Sequence, residues 1–358
     1  MRRRSQHRPT TWKILLAGAA LALAAPGVAY ADTVSVTVKT PGATAGPTTS
    51  FSEVSTHADC SSGLVSGGGI DQAIGTGTSS NGNHVNGTGP SSDGSTEYTG
   101  STGAVGTDDT HWLGIGGSGG AVNASFSSTP YAVCFTSSLI DHTRTVMNKA
   151  AGPTTSSTPL AVTATCPADT VLLGGGARTT PAEVGSLKPI ASFPTFADSA
   201  HDYGLKAAAD GESNPDSWTA EGFNGGGGGT TNTTYAYAIC SGNGIDVSGV
   251  TVKVHHSEVS GPTTATTGRT VTVGCGTDGR LVSGGAAISG GSVTTTDFTA
   301  PGSQGDHLNG SFPSDSSGNP VGDGATSAAY WTAWTHTGGV GSANTSSDVW
   351  ALCADDGV

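Results

Sequence analysis

Three tryptophans stand at one fixed distance ahead of three cysteines, and no other feature constrains the fold of this chain so tightly. Trp112 precedes Cys134, Trp218 precedes Cys240 and Trp331 precedes Cys353 by 22 residues each. A second spacing runs beside the first. Gly46-Pro47-Thr48-Thr49, Gly152-Pro153-Thr154-Thr155 and Gly261-Pro262-Thr263-Thr264 begin 14 residues before Cys60, Cys166 and Cys275. The first unit's cysteines recur 106 residues on and the second unit's after 109 and 113, so three copies of one unit follow each other, with the length change inside the third. The units are 32–136, 137–243 and 244–358. Leu, Ile, Val and Phe make up only roughly a sixth of the chain, a composition that leans toward disorder. The spacings outweigh it, because a disordered chain has no physical reason to keep an aromatic at constant distance from a cysteine.

Residues 1–31 read as a secretion signal peptide. Arg2, Arg3, Arg4, Arg8 and Lys13 give the positive start, Ile14 to Ala25 the apolar stretch, and Ala29-Tyr30-Ala31 the small-x-small cleavage site. The stretch is too short for a membrane span. Its removal leaves nine basic residues against 27 acidic ones, a charge of 9 − 27 = −18. An acidic chain of this kind has no electrostatic footprint for nucleic acid, and no membrane insertion is expected. The expected location is extracellular.

Six cysteines in an exported chain imply disulfides, and the repetition selects one of the fifteen pairings. If each unit is stabilised as its neighbours are, the bridges are Cys60 with Cys134, Cys166 with Cys240, and Cys275 with Cys353. The chain-entropy model gives each such loop about 4 to 5 kcal/mol as an upper figure. The cysteines are too far apart for a zinc ribbon, and neither metal nor cofactor is expected.

The local pattern is all strand. Val271, Val273 and Cys275 alternate with polar residues, as do Val162, Ala164 and Cys166. An apolar pair then runs into glycines at Gly67-Gly68-Gly69, Gly174-Gly175-Gly176 and Gly284-Gly285, where a bulge or a close backbone approach is expected. Each unit ends in what reads as a hairpin from its tryptophan, through a glycine-rich tip such as Gly116 to Gly120, back to its last cysteine. Near that cysteine, apolar residues alternate onto both faces, which suits a sandwich. Phe196 to Ala209 has some helical residues but a poor amphipathic pattern. The fold class is therefore all-β: three tandem disulfide-bonded β-sandwich or jelly-roll-like repeats, each read as its own domain that folds alone.

Cys166-Pro167-Ala168 to Gly174-Gly175-Gly176, with the late Trp218 and the closing Tyr237-Ala238-Ile239-Cys240, resembles a repeated module of secreted actinobacterial proteins of uncharacterised function. The resemblance implies an exported, disulfide-bonded, β-rich protein and brings no active site. The first and third copies lack the proline after the cysteine.

Motifs for chemistry are few. Gly116-Gly117-Ser118-Gly119-Gly120 has the letters of a nucleophile elbow, but it lies in a glycine run rather than between strand and helix. His84-Val85-Asn86-Gly87-Thr88 recurs as His307-Leu308-Asn309-Gly310-Ser311, whereas the second unit has Leu187-Lys188-Pro189-Ile190. One reading makes Asn-Gly a turn. In the other, His84 with Asn86 and His307 with Asn309 share a strand face and form ligand-binding pairs suited to sugar hydroxyls. The constant spacing of the tryptophans points to packing on the disulfides. The function expected is a secreted multivalent binding protein, gaining avidity from three weak sites, with a glycan or cell-surface polymer as partner. A structural or coat protein of the cell exterior is the alternative, followed by an extracellular hydrolase on an unfamiliar scaffold.

Overall fold

The computed structural model describes residues 34–73, 82–122, 125–181, 187–226, 231–242 and 250–355, so the segment 1–31, expected to be an export signal, lies outside the described residues. The first repeat holds β1 (Ser35–Lys39), β2 (Thr44–Ala45), β3 (Glu53–Asp59), β4 (Leu64–Ala73), β5 (Asn83–Ser91), β6 (Gly103–Thr107), β7 (His111–Ser118) and β8 (Ser127–Thr136). The second holds β9 (Thr143–Ala151), β10 (Pro159–Thr165), β11 (Leu172–Thr180), β12 (Leu187–Thr195), β13 (Ser217–Asn224) and β14 (Thr233–Ser241). The third holds β15 (Thr251–Ser260), β16 (Gly268–Gly274), β17 (Arg280–Ser289), β18 (His307–Ser314), β19 (Tyr330–His336) and β20 (Ser346–Asp355). Among the described residues the one helical turn is Asp202–Gly204, inside the stretch with helical composition.

Each repeat is a small sandwich of two half-sheets. In the first, β1-β8-β4 faces β3-β7-β5; in the second, β9-β14-β11 faces β10-β13-β12; in the third, β15-β20-β17 faces β16-β19-β18. The disulfides Cys60–Cys134, Cys166–Cys240 and Cys275–Cys353 are formed as the repetition implied. The hairpin expected at the end of each unit is an arch. β7 and β8, β13 and β14, and β19 and β20 belong to different sheets, so the glycine-rich tip crosses the sandwich instead of turning within one sheet.

The sheets run on from one repeat to the next. β4 pairs with β18, β5 with β11, and β12 with β17, all antiparallel, so each of the three sheets is half one repeat and half another. Within the repeats β4 packs on β5, β11 on β12 and β17 on β18. Six inner strands therefore close a triangle, alternately hydrogen-bonded and face-packed, around a central axis. Residues 31–358 form one compact unit, and its largest core cluster draws on all three repeats.

The glycine runs make the triangle possible. Register places Gly67, Gly174 and Ser283 at equivalent points, followed by Gly68, Gly175 and Gly284, then Gly69, Gly176 and Gly285. At the first position, a Cβ on Gly67 or Gly174 would collide with the Ser283 side chain across the axis. At the second it would lie inside 3.0 Å of the indoles of Trp112, Trp218 and Trp331. The fully buried tryptophans thus lie against glycine of the facing half-sheet. Trp218 Nε1 donates to Ser192 Oγ and Trp331 Nε1 to Ser311 Oγ, each at 2.8 Å. At the third position a Cβ would strike the backbone of the neighbouring repeat at Ser311, Thr88 or Ser192. Close approach was the expectation, and three different neighbours approach.

The outer face of each sheet is covered by the segment that precedes the tryptophan strand, namely 92–110, which includes β6, 196–216 and 315–329. Tyr98 and Val105 of the first pack with Met147, Tyr235 and Tyr237. Phe196, Ala207 and Ala208 of the second pack with Phe193 and Trp350, and Val321, Ala325 and Ala328 of the third with Val38, Tyr131 and Phe312.

Candidate functional site

The Gly-Pro-Thr-Thr segments, the described ends of the arches and the His/Asn motifs gather at one end of the axis. Each Gly-Pro-Thr-Thr segment is a clasp with the same three contacts. The glycine N–H of Gly46, Gly152 and Gly261 donates to the carbonyls of Phe126, Asn232 and Thr345. The proline carbonyl accepts from Asn83 Nδ2 at Pro47, Asn232 Nδ2 at Pro153 and Thr345 Oγ1 at Pro262. Two residues beyond the second threonine, Phe51, Ser157 and Thr266 take left-handed φ values of 56°, 60° and 62°. Their N–H groups donate to the arch at Gly119, Asn224 and Gly338. The strain is therefore a feature of the fold, repeated three times.

The threonine side chains have no such duty. Thr48, Thr49, Thr154, Thr155, Thr263 and Thr264 are all exposed. Thr49 Oγ1 donates to Ser52 Oγ at 2.9 Å, and among the described residues the other five hydroxyls have no partner. Thr-Thr is identical in three copies, and Thr49 is the one whose hydroxyl is bonded among the described residues.

Beneath the clasps lies a buried polar cluster, and it contains the histidines singled out from the sequence. Register makes His84, Lys188 and His307 equivalent, one from each repeat. All three are within 3% of complete burial. The His84 and His307 rings stand 6.2 Å apart, and His336 lies 5.1 Å from His307. His84 Nδ1 donates to the Gly82 carbonyl at 2.8 Å and His307 Nδ1 to the Gly305 carbonyl at 2.6 Å; since a carbonyl only accepts, both imidazoles carry their proton on Nδ1. Among the described residues, His307 Nε2, His336 Nδ1 and Asn309 Oδ1 are buried without a hydrogen-bond partner.

Burial and the Lys188 charge lower the His84 pKa to about 3, and His307 falls well below its ordinary value by the same causes. Burial lowers Lys188 to about 8, against the pull of Asp306, whose own pKa burial raises to about 6. At neutral pH the histidines are uncharged and Lys188 faces an ionised Asp306. Lys188 Nζ also donates to the Gln304 carbonyl at 3.2 Å.

This arrangement differs from the two surface pairs expected from the sequence. Asn86 and Asn309 each sit at a β-bulge, between Val85 and Gly87 and between Leu308 and Gly310, so they do not alternate with the histidines on a flat strand. Asn86-Gly87 is mid-strand rather than a turn. Asn86 Nδ2 donates to Glu53 Oε2 at 2.6 Å, and Asn309 Nδ2 to the Asn83 carbonyl at 3.1 Å. Lys188, Asp306 and His336 escaped sequence reasoning. Only Lys188 had a signal, its place in the diverged second copy of the motif.

A solvent-open pocket of about 210 Å³ lies elsewhere, lined by Lys39, His57, Asp59 and Asp323 among others. It is formed by the first repeat and Asp323 of the third, and its charges pair with each other or with close neighbours, Lys39 with Asp323 at 3.5 Å and Asp59 with His111 at 3.8 Å. No group of three or more His, Cys, Asp or Glu among the described residues is placed to hold a metal ion. No helix among them is long and apolar enough to cross a membrane. In comparisons with known proteins, no family model and no curated protein matches this chain.

Proposed function

We propose that this chain is a secreted multivalent binding protein for a glycan or another repeating polymer of the cell envelope, and that its axial end is the binding face. The observation that carries this reading is the threefold array of exposed Thr-Thr pairs. Glycine and proline of the clasp are used by the fold, but five of six threonine hydroxyls have no partner among the described residues. A threonine offers one donor, two acceptor lone pairs and a methyl group, a set that matches sugar hydroxyls and the C–H groups between them. Three such contacts on one rigid body gain through effective concentration what each lacks alone. Three disulfides and the N-terminal sequence fit export into an oxidising compartment.

The test is co-sedimentation of the mature protein with purified cell-wall sacculi, chitin and microcrystalline cellulose. Retention on at least one is expected. Thr48→Ala, Thr154→Ala and Thr263→Ala should each weaken it slightly, and the triple variant should lose at least about 100-fold in apparent affinity, because avidity is lost as a product. Wild-type protein that stays in solution with every polymer would leave the structural or coat role, for which the disulfide-tied, closed core suffices.

A further inference from the structure

Tyr203 is the most exposed aromatic side chain among the described residues, at 68%. It stands on the turn Asp202–Gly204, over the outer face of the sheet that joins the second and third repeats. Asp202 and Tyr203 both adopt left-handed backbone, φ 45° and 54°. Consecutive non-glycine residues there are strained and persist only where the surroundings enforce the shape.

The enforcing contacts are plain. Asp198 Oδ1 accepts from the N–H groups of Ala200 and His201 at 3.0 and 2.9 Å, and the Asp198 carbonyl accepts from Tyr203 N at 2.8 Å. His201 bridges Asp198 and Glu212. Thr219 Oγ1 donates to the Gly204 carbonyl at 2.8 Å, and Phe298 N to the Leu205 carbonyl at 3.0 Å. Among the described residues the tyrosine ring takes no part in these contacts. Glycine would meet the backbone requirement at Tyr203 without strain. The fold instead holds a large rigid ring in water.

We infer that Tyr203 is a stacking platform for the C–H face of a sugar ring. The inference rests on the reading that the chain binds a glycan, and it adds a site on the flank that the threefold face does not include. The face of an aromatic ring carries partial negative charge and attracts the polarised C–H groups of a pyranose. A tyrosine offers this area with two side-chain torsions to fix, and here the backbone is already fixed.

The mature protein, Tyr203→Gly and Tyr203→Phe are compared by co-sedimentation with sacculi, chitin and cellulose and by thermal melting. Tyr203→Gly should weaken retention at least about fivefold, in line with one aromatic contact, and should raise Tm by relieving the turn. Tyr203→Phe should retain the polymer as wild type does. If wild type is retained and Tyr203→Gly is retained equally, the platform is refuted while the wider reading stands. A lowered Tm for Tyr203→Gly would make the ring a structural element and refute it as well. Absence of wild-type retention on all three polymers would overturn both.

Discussion

The junction between the first two repeats and the junction between the second and third share one backbone arrangement and cover it with opposite chemistry. Arg178 of β11 and Ala287 of β17 occupy equivalent positions, next to the equivalent aromatics Tyr237 and Trp350. At the first junction Arg178, with its side chain 4% exposed, donates from Nε to Glu97 at 2.6 Å and from Nη2 to Glu53 at 2.9 Å. Burial works against its charge, and the two carboxylates more than compensate. Asn86 is tied to the same Glu53. At the second junction Ala287 lies in an apolar cluster with Phe193 and Trp350, whose rings are 5.6 Å apart. The covering segments match: 92–110 brings Glu97 and Tyr98, whereas 196–216 brings Phe196, Ala207 and Ala208. The repeat thus dictates a backbone junction, and the covering segment dictates what is buried there.

The contrast can be broken at either side. Arg178→Ala leaves two carboxylates at a half-buried junction and is expected to cost about 3 to 5 kcal/mol in urea unfolding. Replacing Arg178, Glu53 and Glu97 together by Met, Gln and Gln should recover most of that loss, because a buried ion pair is weak evidence of net stability. Phe193→Ala on the apolar side should cost a similar amount, about 3 to 5 kcal/mol, with no partner change that restores it. If the triple variant is no better than Arg178→Ala, the charges themselves hold the first junction.

The axial cluster sharpens the same contrast, since it buries His84 and His307 as neutral species beside the charges of Lys188 and Asp306. His84 has a folded pKa of about 3 against an ordinary 6.5, so the unfolded chain binds the proton first as pH falls. The stability that neutral His84 contributes is complete above pH 6.5 and is lost as pH falls toward 3, and His307 acts in the same direction. Glu221 and Asp71, raised by burial to about 8 and about 6, and Asp306 oppose this trend. A comparison of variant with wild type removes them. Between pH 7 and pH 4.5, His84→Gln should gain about 2 to 3 kcal/mol relative to wild type, at 1.36 kcal/mol per pKa unit, and His84→Gln/His307→Gln should gain more. An unchanged gap would mean that the imidazoles are not buried neutral.

The disulfide pairing and the all-β class were legible because the 22-residue and 14-residue spacings repeat. Which strands pair was not. A short strand such as Leu172–Thr180 has two edges, and nothing in its letters says that one edge belongs to β14 of its own repeat and the other to β5 of the preceding one. The arch hid for the same reason, because a glycine-rich tip between two apolar strands reads alike whether the strands pair or face each other. At His84 and Asn86 the periodicity argument failed at one bulged residue. The exposed Thr-Thr pairs were visible three times over, but their freedom from any fold duty needed the structure.

The central claim is that three sandwiches share three sheets and one core, so they should not unfold one by one. Differential scanning calorimetry of the mature chain with its disulfides intact tests it most directly. The account expects a single transition whose van't Hoff enthalpy equals the calorimetric enthalpy. Three transitions, or a van't Hoff enthalpy near a third of the calorimetric one, would contradict it and restore three domains that fold alone.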